Sequence, residues 1–128
     1  MISFLLSVRR SFRVTFLLLY VLCVIALSLL PPSDFPKVKL FHGFDKVIHF
    51  FMYFPLSALL CWVFRAERKK VMFFLMFISA VAWGMFMEVM QFEMRIGRSF
   101  SWYDELANIS GIILGTFLYW LFTRKYVD

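Results

Sequence analysis

Six residues carry the chemistry this chain could perform: Asp45, His49, Glu88, Gln91, Asp104 and Asn108. Asp45 and His49 are four apart, Glu88 and Gln91 three apart, and Asp104 and Asn108 four apart, so each pair shares one face of a helix. A histidine beside a carboxylate can serve as general base or nucleophile, and a carboxyl group in apolar surroundings can serve as an acid. On this reading His49, oriented by Asp45, is the base or nucleophile and Glu88 the acid, which makes His49, Glu88 and Asp45 the candidate catalytic residues. Arg95 and Arg98, with Gly97 between them, could clasp a phosphate or carboxylate, and Asp104, Asn108 and Gln91 join them as candidate binding residues. Structural roles compete with these. Asp45 and Asp104 stand where first-turn carboxylates cap helices, and His49 and Glu88 could form a purely structural pair. Asp45, His49, Glu88 and Asp104 are chemically suited to zinc or manganese, but no spacing approaches a strong metal motif. No metal ligand set and no cofactor is therefore assigned. The chain contains no Gly-rich phosphate loop and no nucleophile elbow, and the sequence leaves open whether any reaction is catalysed.

The segments that must position these residues are apolar enough to cross a membrane. The 128 residues are 62% hydrophobic and 17% charged, too little polar surface to cover a water-facing globule. Apolar stretches at 14–30, 47–64, 71–92 and 106–122 each reach the roughly 17–25 residues a spanning helix needs. Glu88 is the one formal charge inside them. An intramembrane carboxyl normally faces the bundle and has a partner, for which His49, Arg95, Arg98 and Asn108 are the candidates. The expected fold is all-α, a four-helix transmembrane bundle forming a single domain over 1–128, with helices at about 14–30, 45–64, 71–92 and 104–122. The first apolar run is longer than a signal-peptide core and is expected to stay as an anchor.

Orientation follows from Lys and Arg. Arg9, Arg10, Arg13, Arg65, Arg68, Lys69, Lys70, Arg124 and Lys125 fall on one side, against Lys37, Lys39, Lys46, Arg95 and Arg98 on the other. Basic residues stay inside, which predicts cytoplasmic termini and places the polar residues of three helices together in the outer leaflet. The net charge of +6 is thus an orientation signal and no nucleic-acid footprint. Pro31, Pro32 and Pro36 predict an extended first external loop, and Pro55 interrupts the second helix's hydrogen-bond ladder. Gly111 and Gly115, with Ala107, form a small-residue stripe suited to close packing within the bundle. Cys23 and Cys61 read as unpaired buried thiols, and His42 as a lone loop histidine.

Three ordered pieces resemble the signature of the VanZ-like family of bacterial membrane proteins. They are Asp45-Lys46-Val47-Ile48-His49-Phe50 with Tyr53, then Glu88-Val89-Met90-Gln91-Phe92, then Arg98 to Asp104 with Asn108, Gly111 and Gly115. The resemblance covers 45–115, and it adds Tyr53 to the candidate binding residues. The family is named for an accessory protein of teicoplanin resistance. It implies a multi-pass protein of the bacterial cytoplasmic (inner) membrane with a cell-envelope role in antibiotic resistance. Combined with the polar site, it suggests a lipid, a lipid-linked cell-wall precursor or a lipophilic glycopeptide as ligand. The competing reading is a non-catalytic membrane scaffold or binding module; the oligomeric state is not legible in the residues.

Overall fold

A computed structural model describes residues 1–30, 41, 43–95, 97 and 99–126. Pro31, Pro32 and Pro36, His42 and Arg98 lie outside the described residues. Five α-helices follow one another: α1 (Ile2–Ser7), α2 (Arg10–Leu29), α3 (Phe44–Phe64), α4 (Lys70–Glu93) and α5 (Trp102–Thr123), with single 3-10 turns at Ala66–Arg68 and Arg124–Tyr126. All regular structure among the described residues is helical. The last four helices are each long and apolar enough to cross a membrane. They run up to four residues past the apolar stretches, because charged residues such as Arg10, Lys70 and Glu93 continue the helix into the interface without breaking its backbone ladder. The short α1, which the hydropathy pattern does not announce, precedes the first span.

Each helix begins and ends for a local reason. Gly43 precedes α3 at φ +81, a left-handed conformation open to glycine, and Ser101 caps α5 by accepting the Asp104 N–H at 3.4 Å. The last turn of α3 ends at Arg65, itself left-handed at φ +56, whose N–H returns to the Cys61 carbonyl. An ion pair and one hydrogen bond hold that non-glycine residue in place. Arg65 Nε lies 2.7 Å from Glu67 Oε1, and its Nη1 donates to the Leu6 carbonyl. Within α3, Pro55 is carried without loss of the helical backbone.

Water gives no net drive for helix association inside lipid, so close packing and polar contacts must supply it. The most intimate pair is α3 and α5. A Cβ at Gly111 would collide with the Phe50 carbonyl, and one at Gly115 with the Phe54 carbonyl and Ser57 Oγ. The small-residue stripe therefore brings two backbones of the same chain together. Leu17, Val24, Tyr53, Leu56, Ala80 and Ile112 fill the centre, while Phe16, Phe51, Phe74, Phe86, Phe117 and Phe122 point outward. An outer surface this apolar suits lipid. Cys61 is buried as expected, but Cys23 is exposed, on the side of α2 that turns toward α3; both are free thiols.

The α3–α4 turn gathers α1 and the last 3-10 turn at one end of the bundle. There Arg13 Nη1 donates to the carbonyls of Trp62 and Val63 at 2.5 and 3.3 Å, capping the C-terminus of α3. Trp62 Nε1 donates to the Leu5 carbonyl at 2.8 Å, tying down α1. Buried Glu67 pairs with Arg65 and accepts from Tyr119 Oη at 2.6 Å, which joins the α3–α4 turn to α5.

Candidate functional site

The start of α3, the end of α4 and the start of α5 meet at the opposite end. His49 lies on the second turn of α3, Glu88 about a turn and a half before the end of α4, and Asp104 and Asn108 on successive turns of α5. Asn108 links them. Its Nδ2 donates to Glu105 Oε2 at 3.1 Å, and its Oδ1 lies 3.0 Å from His49 Nδ1. With the amide oriented by Glu105, Oδ1 is the acceptor and His49 Nδ1 donates to it. Nε2 faces Asp104 Oδ2 at 3.6 Å, and Glu88 Oε1 stands 3.8 Å from Nδ1. Lys46 bridges the carboxylates of Asp45, at 2.6 Å, and Asp104. Glu88 Oε2 is buried without a hydrogen-bond partner among the described residues. One donor atom each from His49, Glu88 and Asp104 lie within 4.8 Å of one another, a set able to hold a cation or a donor-rich ligand.

The candidate residues separate into those the fold brings together and those it places elsewhere. His49, Glu88, Asp104 and Asn108 form one cluster; Glu88 and Asn108 are 1% exposed. Asp45 stands at its rim with a side chain 62% exposed and bonded to Lys46. The carboxylates facing the His49 ring are those of Asp104 and Glu88. Gln91 is buried but turned to α2, where its Nε2 donates to the Ser28 carbonyl at 2.8 Å. Tyr53 is fully buried one turn below His49. Arg95 sits exposed in the turn after α4 at φ +50, bordering a cleft of about 390 Å³ with Glu93, Gly97 and Ser99. Arg98 lies outside the described residues.

Three participants escape the sequence reading. Glu105 is 2% exposed and sets the Asn108 amide; its spacing of three from Asn108 was the available signal. Lys46 counts in the sequence only as an orientation charge and a motif residue, yet it bridges two carboxylates. Gly84, one turn before Glu88, makes room: a Cβ there would stand 3.0 Å from Glu105 Oε2 and 3.3 Å from both Asn108 Nδ2 and Tyr53 Cε1. On the neighbouring face of α3, an apolar cleft of about 410 Å³ opens between α2 and α3, lined by Tyr20, Val24, Leu27, Val47, Ile48 and Phe51 among others.

Fold and site together define a multi-pass membrane protein with four spanning helices and a buried histidine–carboxylate cluster near one end. The chain belongs to the VanZ/LLP1 family, whose pattern matches residues 12–123 and so takes in all four spans. It is also 30% identical over 84 residues to a protein of Schizosaccharomyces pombe described only as uncharacterized. That alignment includes 66% of this chain and 51% of the yeast protein, so the chain spans about half the length of this curated relative. No solved structure matches the chain.

Proposed function

We propose that the chain binds the headgroup of an amphiphile at the end of the bundle remote from its termini, and that this end faces the outer leaflet. The orientation rests on the basic residues gathered around Arg13, Arg65 and Arg68 at the opposite end, which puts both termini in the cytoplasm. The observation that carries the ligand reading is the convergence of His49, Glu88 and Asp104 from three helices onto one cluster beside an apolar cleft. Ionisable groups cost about 2.5–3.5 kcal/mol each inside a membrane, and a chain that keeps several in one place usually does so for a ligand or a path. Carboxylates and the His49 ring suit hydroxyl and ammonium donors, Lys46 and Arg95 suit a phosphate, and the α2–α3 cleft suits an acyl chain. That combination fits a lipid-linked cell-wall precursor in a bacterial cytoplasmic membrane, or a lipophilic glycopeptide of the teicoplanin type that the family's name suggests. A catalytic version would use His49 as base or nucleophile and Glu88 as acid.

Binding of a lipid-linked precursor to protein in nanodiscs tests this reading. His49→Ala and Glu88→Gln should each weaken binding about tenfold or more while the protein stays folded; full binding by both variants would remove the proposal. A scaffold reading is favoured by Gln91, whose buried amide serves α2. It expects the site variants to lower the melting temperature and leave ligand binding intact.

A further inference from the structure

The amphiphile reading uses the cluster as a hydrogen-bonding surface, but the placement of its atoms points to something more specific. The Asn108–Glu105 pair holds a proton on His49 Nδ1 and orients the ring so that Nε2 faces Asp104. The first observation is that one donor atom each of His49, Glu88 and Asp104, from three helices, lie within 4.8 Å of one another, with Asp104 Oδ2 3.6 Å from Nε2. The second observation is Glu88 Oε2, more than nine-tenths buried and without a hydrogen-bond partner among the described residues, on a carboxylate directed into the same cluster. Among the described residues Lys46 is the cation paired with the cluster, and its ammonium is shared between Asp45 and Asp104. Glu88 Oε1 faces the His49 ring, 3.8 Å from Nδ1.

We propose that one imidazole nitrogen of His49 and one oxygen each of Glu88 and Asp104 form a site for a divalent first-row metal ion, of the Mn²⁺ or Zn²⁺ kind. One nitrogen and two carboxylate oxygens are a donor set both ions accept. Donors about 2.0–2.2 Å from an ion stand about 3–3.6 Å apart, so the three groups, all within 4.8 Å, reach it by side-chain adjustment of about 1 Å. Asn108 then serves as the partner that fixes the ligating histidine's tautomer, and Glu105 orients Asn108 in turn, the arrangement that commonly stands behind metal-bound imidazoles. Three protein ligands leave positions that a phosphate oxygen of the bound amphiphile can occupy. The inference thus deepens the function proposed above and rests on the same cluster.

The test is metal uptake by the purified, EDTA-stripped chain in detergent, measured by equilibrium dialysis against Mn²⁺ or Zn²⁺ and by the visible absorption of added Co²⁺. About one ion per chain is expected, with a Co²⁺ spectrum showing nitrogen and oxygen ligands, and with affinity lowered about 10–100-fold by Glu88→Gln and by Asp104→Asn. The ion should also raise the melting temperature of the unaltered chain. Substoichiometric uptake, or equal uptake by the unaltered chain and both variants, overturns the proposal and leaves a protonated His49 as the charge between the carboxylates. If the variants do not fold, the unaltered chain decides: no melting shift and no Co²⁺ spectrum overturns it. Precursor binding measured in EDTA separates the two proposals. Binding that persists without metal uptake sinks the metal and keeps the amphiphile, whereas metal uptake without precursor binding does the reverse.

Discussion

Asn108 is the residue on which the cluster depends, because one side chain satisfies a buried histidine and a buried glutamate at once. Its replacement by alanine removes the bonds to His49 Nδ1 and Glu105 Oε2 together. A loss of about 1–2 kcal/mol is expected, the range for interhelical hydrogen bonds in model membrane helices, and should appear as a melting temperature lower by several degrees in tryptophan fluorescence. Asp45→Asn should cost far less, since that carboxylate is exposed and paired with an exposed-end lysine. Equal losses for the two variants would contradict the partnering described here. The candidate residues were legible because ionisable types stand out against apolar sequence. Which carboxylate serves the histidine was not, because Asp45 shares a helix with His49 while Asp104 reaches it from another.

Helix pairs depend on glycine. Gly111→Ala and Gly115→Ala place a Cβ on backbone carbonyls of α3 that cannot move without the helix, so both should lower folded yield sharply, read as loss of a monodisperse peak in size exclusion. Gly84→Ala meets side chains instead, the nearest being Glu105 Oε2 at 3.0 Å. It is expected to leave the fold and displace Glu105 and Asn108, so that ligand or metal binding falls about tenfold with little change in melting temperature. Gln91→Ala removes the bond to Ser28 and should speed amide exchange at the end of α2 relative to α3. The small-residue stripe could be read from spacing alone. The role of Gly84 could not, since a lone glycine in an apolar helix carries no sign of what it faces.

For the whole molecule, the distribution of charge predicts topology. In a background of Cys23→Ser and Cys61→Ala, an impermeant thiol reagent applied to intact cells should label Ser99→Cys and spare Lys69→Cys until the membrane is opened. The opposite pattern would put the His49 cluster in the inner leaflet and remove an external ligand from consideration. At the basic end, Glu67→Ala should destabilise the bundle by freeing both Arg65 and Tyr119, with the Tyr119→Phe variant losing less because one bond is removed and no charge is left unpaired.

Length and hydropathy were enough to determine four helices long and apolar enough to span a membrane, since a bilayer admits few backbone solutions. The family resemblance over 45–115 was equally legible, and the match over 12–123 extends it to the first span. Partnership was decided only in three dimensions. That Asp104 faces His49, that Gln91 serves α2, that Glu105 orients Asn108 and that Cys23 is exposed all depend on how each helix is rotated against its neighbours. Rotation is set by backbone contact at Gly111 and Gly115 and by polar pairing, which hydropathy along one strand of sequence does not contain.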